Sequence, residues 1–132
     1  MSSSTTEPTS IAFLQTSLRT PRLSDHIAAW ILPILTPLLT PHKITMLDLK
    51  DFPLPLESNE ALVPAQLPSP VPAVSYVCQQ TNAWSAEVSK YDAFIFFCPQ
   101  YNHSLPASLK NAFEKVYHKW EGKPVYVISH GT

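Results

Sequence analysis

Four strand-like apolar segments alternate along this sequence with segments of helical spacing. The strand-like segments are Ile11–Leu14, Lys43–Leu49, Ala93–Cys98 and Pro124–Ser129. The third is apolar without interruption, which is typical of a strand buried on both faces in the middle of a parallel sheet. Because strands and helices alternate, the sequence predicts an α/β fold in which helices cover both faces of an open parallel sheet.

Three helices are predicted between these strands. The first begins at a cap formed by Ser24 and Asp25, and a kink is expected at Pro33 because proline withholds a backbone hydrogen bond. The second lies within Ser75–Lys90, and the third is opened by Ser104-Leu105-Pro106 and closed by Gly122. The first helix is expected to carry Ile27, Ala28, Trp30, Ile31 and Ile34 towards the sheet. The third has an apolar stripe formed by Leu109, Ala112, Phe113, Val116, Tyr117 and Trp120.

Length and composition limit the organisation of the chain. Its 132 residues suit one domain: residues 1–10 read as a disordered Ser/Thr-rich tail, 11–132 as the folded part, and Phe52–Val74 as a proline-rich surface excursion. The formal net charge of -1 provides no broad field for a nucleic acid or membrane partner. No signal peptide or membrane span is visible, so we expect a soluble, cytoplasmic protein with reduced thiols.

The scarcity of glycine excludes the usual nucleotide loops. The chain has 2 glycines and 14 prolines, and neither a G-x-G-x-x-G nor a Walker A motif can be written in it. The five histidines are scattered and no Cys/His spacing of the zinc type occurs, so no metal site is predicted. Cys98 ends the central strand, where a buried apolar role is favoured over thiol redox chemistry.

Ligands of open α/β sheets bind beyond the carboxyl ends of the strands, which directs attention to the loops there. The loop 16–24 combines hydroxyl groups with Arg19 and Arg22 just before a helix N-terminus, an arrangement that favours a phosphate monoester. A solvated capping loop with two incidental arginines is the alternative. The loop 99–104 carries two amides, a phenol, an imidazole and a hydroxyl, and its alternative is a polar turn and helix cap.

The second loop begins a motif with a known counterpart. Residues 98–113 read C-P-Q-Y-N-H-S-L-P-A-S-L-K-N-A-F, which resembles the P-E-Y-N-x-S-x-P-G-x-L-K-N-A-I-D signature of the NADPH-dependent FMN reductase family. T-S-L-R at 16–19 is similar to the family's G-S-x-R phosphate loop, D-L-K-D-F-P-L-P at 48–55 to its second strand and following loop, and W-E-G-K-P-V at 120–125 to its W-x-G-K-P-V. The resemblance covers nearly all of the chain after Ser10.

This resemblance implies a flavodoxin-like domain that binds FMN and uses NAD(P)H. Ser17 and Arg19 would hold the FMN phosphate, and the turn beside the ribityl chain and isoalloxazine ring would be formed by Pro99, Gln100, Tyr101 and Asn102. Ser129 and Gly131 would begin the loop at the other edge of the ring. Hydride would pass from NAD(P)H through the flavin to a small acceptor such as a quinone or a free flavin, with no protein acid or base named.

The resemblance also implies features that this sequence lacks or alters. A flavodoxin-like sheet has five strands in the order 2-1-3-4-5, and only strands 2-1-3-4 are found, so we expect a truncated chain without the fifth strand and last helices. Thr16 stands where the family has glycine, so its side chain must turn away or occupy part of the phosphate's space. Relatives of this kind are commonly oligomers, and we expect a homo-oligomer. A non-catalytic relative acting as a binding or association module is the alternative function.

Overall fold

A parallel four-stranded sheet in the order β2-β1-β3-β4 forms the framework of the molecule, which confirms the predicted fold class. The computed structural model describes residues 7–72 and 75–131. Its elements are β1 (Ser10–Gln15), α1 (Leu23–Leu38), β2 (Lys43–Asp48), α2 (Gln79–Val88), β3 (Ala93–Pro99), α3 (Ala107–Lys115) and β4 (Val125–His130). Most of the predicted tail, residues 1–6, lies outside the described residues, as do the last two residues of the predicted excursion, 73 and 74.

The central strand β3 supplies both layers of the core. It pairs with β1 on one side and β4 on the other, with Phe97 beside Gln15 and Ile128. Phe94 and Phe96 belong to the cluster under α2 and α3, whereas Ile95 and Phe97 belong to the cluster under α1. The unbroken apolar run is therefore explained by burial of both faces of this strand.

The face covered by α2 and α3 holds an aromatic core. Trp84 is fully buried and its indole N–H donates to the carbonyl oxygen of Ala112 at 3.0 Å, which satisfies the polar edge of the ring. The ring of Trp120 lies 5.0 Å from that of Phe94, between centroids, in an edge-on arrangement. These contacts fasten α2, α3 and the chain before β4 to a single cluster.

Among the described residues, α1 is the helix that covers the opposite face. Ile27, Ala28 and Ile31 pack on β1 and β3 as expected, but the prediction for Trp30 and Ile34 was wrong, because these side chains are 66% and 45% exposed. The helix is apolar around much of its circumference, so sequence spacing alone did not distinguish its inner side from its outer side.

Two helix boundaries differ from the predicted ones. Helix α1 begins at Leu23 with Arg22 as its N-cap, so Ser24 and Asp25 lie in its first turn and do not cap it; the helix then continues through Pro33 and Pro37. Helix α3 ends at Lys115 and not near Gly122. The backbone of the next residue, Val116, is extended, and this change of direction keeps Val116 buried and lets Trp120 pack on the core.

The proline-rich segment 52–72 is held down by side chains of other elements. Asn111 donates to the carbonyl oxygen of Leu54 at 3.1 Å, and the ammonium group of Lys115 donates to those of Leu56 and Glu57 at 3.4 and 2.9 Å. Glu60, which belongs to the segment, accepts the backbone N–H groups of Val77 and Cys78 before α2 with its carboxylate, at 2.9 and 3.0 Å. The excursion is therefore a bound surface layer.

Within residues 7–72 and 75–131, no helix is both long enough and apolar enough to cross a membrane. No group of three or more His, Cys, Asp or Glu side chains in the same ranges is arranged to hold a metal ion. Both cysteines are free, and burial raises the pKa of the Cys98 thiol.

Candidate functional site

A cavity of about 340 Å³ lies at the carboxyl ends of β1, β3 and β4, where an open parallel sheet places its ligands. Six of the eight residues predicted from sequence line it, namely Ser17, Arg19, Pro99, Gln100, Tyr101 and Gly131. Asn102 and Ser129 are exposed and are not part of its wall. The structure thus brings together residues from three separate loops.

Thr16 turns its side chain away from the cavity. The residue is fully buried, and both its backbone N–H and its hydroxyl group donate to the carbonyl oxygen of Phe97, at 3.1 and 3.2 Å. The hydroxyl group of Ser108 in α3 donates in turn to the carbonyl oxygen of Thr16 at 2.6 Å. Of the two expectations for Thr16, the structure therefore supports the one in which the ligand space stays free.

The first loop and the turn after β3 meet across the cavity. The hydroxyl groups of Ser17 and Tyr101 lie 3.1 Å apart, and either can be the donor. The guanidinium carbon of Arg19 lies 6.0 Å from the centre of the Tyr101 ring, at the outer limit of a cation–π contact. Arg19 is exposed, so its charge remains available to a ligand at the cavity mouth.

The N-terminus of α1 is open to an anion. The N-cap residue, Arg22, makes no side-chain capping hydrogen bond, so within the described residues the first N–H groups of the helix lack the usual capping oxygen. Ser24, in the first turn, is 1% exposed and lines the cavity, and its hydroxyl oxygen has no hydrogen-bond partner among the described residues. Sequence reasoning assigned Ser24 to a cap and missed this feature, because only the observed helix start shows that its hydroxyl is unused.

Arg22 is engaged by carboxylates of the protein. Its Nε donates to Asp25 at 2.7 Å, and its two terminal nitrogens form a forked pair with Asp48 at the end of β2. Hydrogen bonding to Asp48 raises the pKa of Arg22, while hydrogen bonding from Arg22 lowers the pKa of Asp25. Burial alone would raise the pKa of Asp48, but the hydrogen bonds from Arg22 and from the backbone N–H of Lys50 outweigh it and lower that pKa.

The turn after β3 is a tight two-residue reversal. The backbone N–H and carbonyl groups of Tyr101 and Ser104 exchange two hydrogen bonds of 3.0 Å, and both intervening residues, Asn102 and His103, have positive φ angles of 49° and 63°. Positive φ at both central residues is the type I′ pattern, in which asparagine is favoured. Asn102 therefore has a clear backbone role at this position.

The loop after β4 closes the far side of the cavity. Gln100 donates its backbone N–H to the carbonyl oxygen of His130 at 2.7 Å, and a methyl group on Gly131 would come within 3.1 Å of Gln100 Oε1. The ring of His130 lies 5.0 Å from that of Phe97, and burial lowers the pKa of its imidazole. Its buried Nε2 has no partner in the described parts of the chain, and His130 was not among the predicted site residues.

The sheet order and this ligand-binding edge define a flavodoxin-like α/β protein. The family model for NADPH-dependent FMN reductase matches residues 9–132. The chain therefore belongs to the NADPH-dependent FMN reductase family.

Named relatives agree with this assignment. The chain is 43% identical over 90 residues to the NAD(P)H-dependent FMN reductase LOT6 of Saccharomyces cerevisiae, covering 67% of this chain and 46% of that protein. It is 34% identical over 122 residues to the NAD(P)H-dependent FMN reductase C4B3.06c of Schizosaccharomyces pombe, covering 92% and 57%. The chain thus spans about half the length of the curated relatives it matches.

Solved structures share the fold at lower sequence identity. FerB, a flavoenzyme NAD(P)H:(acceptor) oxidoreductase from Paracoccus denitrificans, superposes with a TM-score of 0.63 at 22% identity, covering 92% of this chain and 60% of that one. An NAD(P)H:quinone oxidoreductase from Methanothermobacter marburgensis gives 0.63 at 18% identity, covering 95% and 68%.

Proposed function

We propose that this chain binds FMN at the carboxyl edge of its sheet and acts as an NAD(P)H-dependent oxidoreductase toward a small acceptor such as a quinone or a free flavin. The observation that carries the proposal is the uncapped N-terminus of α1, which lies with Arg19 at the same cavity. In the first turn of that helix, among the described residues, the buried hydroxyl of Ser24 has no hydrogen-bond partner. Free N–H groups, a positive helix end and a cation together suit a phosphate monoester.

The residues present fit FMN. Ser17 and Arg19 would bind the phosphate together with the N–H groups of α1, and Tyr101 would hold the Ser17 hydroxyl in place. Gln100 and Gly131 would form the wall beside the ring, where the missing side chain of Gly131 leaves room for that of Gln100. When bound, FMN supplies the hydride chemistry between NAD(P)H and the acceptor. The protein's part is to bind and orient the two partners and to limit access of water.

We infer the class of acceptor from the structural neighbours. FerB is an NAD(P)H:(acceptor) oxidoreductase and the Methanothermobacter marburgensis protein an NAD(P)H:quinone oxidoreductase, which favours a small redox-active acceptor. We also propose a homo-oligomer, since Trp30 on α1 and Tyr126 on β4 are exposed apolar side chains. The two free cysteines are consistent with a reducing, cytoplasmic environment.

One experiment tests the function. The purified 132-residue protein is incubated with FMN, riboflavin or FAD, freed of unbound flavin and measured by visible absorption, and oxidation of NADH and NADPH is then followed with a quinone or a free flavin as acceptor. We expect retained FMN, weaker retention of riboflavin and FAD, and acceptor-dependent oxidation. A colourless protein that retains none of the three flavins would contradict the proposal and favour the non-catalytic association module.

A further inference from the structure

Arg22 lines the cavity, but N–H groups on all three of its guanidinium nitrogens already donate to other residues of the protein. Its side chain is 8% exposed, and it donates to Asp25 at 2.7 Å, to the carbonyl oxygen of Ser17 at 2.7 Å and to both oxygens of Asp48. These acceptors occupy all three nitrogens of the guanidinium group. These four hydrogen bonds use four of its five N–H groups, so a phosphate group could bind Arg22 through a fork of two N–H groups only by displacing a carboxylate or the loop carbonyl.

The carboxylates that Arg22 binds are themselves close to the proposed phosphate position. Asp25 belongs to the first turn of α1, and Asp48 ends β2 directly beneath the loop. Both carboxylates bind a side chain that lines the cavity, so they would repel a phosphate dianion there, since charges within about 8 Å are only partly screened at physiological salt. The forked pair with Arg22 offsets one of these two negative charges.

The same contacts fix the shape of the phosphate loop. Arg22 holds the carbonyl oxygen of Ser17 from the side of β2, and the hydroxyl of Ser17 accepts the backbone N–H of Arg19 at 3.4 Å. The buried side chain of Gln15 supports the arrangement by donating to Asp25 at 2.7 Å. The network therefore links the ends of β1 and β2 with the start of α1.

We propose that Arg22 is a positioning residue and not a phosphate ligand: it offsets the charge of Asp48, with which it forms the forked pair, and fixes the Ser17 carbonyl, so that Arg19 faces the phosphate. This inference rests on the proposed function, because it assigns a role in binding FMN. It predicts that the contribution of Arg22 depends on Asp48, whereas that of Arg19 does not.

The test is a double-mutant cycle on binding. FMN and riboflavin are titrated into the unmodified protein, R22Q, D48N and R22Q/D48N. We expect R22Q to weaken FMN binding about tenfold and riboflavin binding less than about twofold, because riboflavin has no phosphate. D48N should restore FMN affinity in the R22Q background to within about threefold of the unmodified protein.

The matched comparison is R19Q with and without D48N. R19Q should also weaken FMN binding. Adding D48N to R19Q should change the FMN affinity only as much as D48N changes that of the unmodified protein, because uncoupled sites behave additively. R22K, which keeps the charge, should retain most of the FMN affinity even if R22Q folds poorly. Thermal melting and circular dichroism of every variant report its folding.

The outcomes separate the two proposals. If the unmodified protein binds no FMN, the proposed function and this inference are both wrong. If it binds FMN and R22Q is unchanged, or if D48N gives no more recovery with R22Q than with R19Q, only the role of Arg22 is wrong. Equal losses of FMN and riboflavin in both R22Q and R22K would show a purely structural role and would also overturn the inference.

Discussion

At the scale of single residues, the arginine that is available to a ligand is the one that the protein has not already paired with a carboxylate. Arg19 and Arg22 are three positions apart in one loop, and sequence alone suggests the same role for both. The structure separates them, because Asp48 reaches Arg22 from a strand that is 26 residues away along the chain. A loop motif therefore predicts the kind of ligand, but it does not predict which arginine is free to bind the ligand and which is paired with a carboxylate of the protein.

We expect R19A to weaken FMN binding by about 1.5–3 kcal/mol, because a charge-assisted contact to the phosphate is lost. Fluorescence titration of FMN measures the change, with riboflavin as the ligand that lacks the phosphate. K90A is the matched control, since it removes one positive charge at the end of α2, away from the cavity. Unchanged FMN affinity in R19A would remove this loop from the site.

Asn102 and His103 allow a second comparison at the same scale. Both have positive φ, so alanine at either position carries a similar backbone cost of about 1 kcal/mol in the free energy of unfolding. We expect N102A to weaken FMN retention more than H103A, by about threefold to tenfold, if the amide contacts the flavin. Titration of both variants, together with their urea unfolding curves, measures the two effects. Equal losses of FMN would mean that only the shape of the turn matters.

At the scale of elements, the sequence predicts the strands well and the ends of helices poorly. Each strand begins or ends within one residue of its predicted limit, because apolar runs and the prolines beside them mark these positions directly. The end of α3 was missed because Val116 and Trp120 continue the helical spacing while packing on the core through a different backbone path. Trp30 was misplaced because α1 is apolar on both sides.

The excursion 52–72, which contains no strand or α-helix, gives a prediction for a surface segment. K115M removes the ammonium group that holds the carbonyl oxygens of Leu56 and Glu57, so this segment should open more often and be cleaved faster by a protease of broad specificity. Limited proteolysis with mass mapping of the cleavage sites measures the rate. The control is K110M, which loses an exposed pair with Glu114 on the same helix. Equal rates in the two variants would contradict the anchoring role of Lys115.

At the scale of the whole molecule, the two sides of the sheet are unequally covered. In the part of the chain that the structure describes, helices α2 and α3 cover one face, whereas a single helix, α1, covers the other and leaves an apolar groove beside β4. In β4, Tyr126 is 70% exposed and Val127 is 57% exposed, and the strand has no Lys, Arg, Asp or Glu to discourage pairing with another chain.

We therefore expect the 132-residue polypeptide to self-associate through β4. V127K should shift it toward the monomer, because a charged side chain on an edge strand opposes further pairing. Analytical ultracentrifugation over a range of protein concentrations measures the change. M46K on β2, the other edge strand, is the matched control and should have little effect. A polypeptide that is monomeric without substitution would contradict this prediction.

The two hydrogen bonds from Thr16 to the carbonyl oxygen of Phe97 lower the conformational entropy that ligand binding must cost. Thr16 also accepts from Ser108, so β1, β3 and α3 fix the start of the proposed phosphate loop as soon as the domain folds. The conformational entropy of this residue is then lost during folding and does not have to be lost again when a ligand arrives.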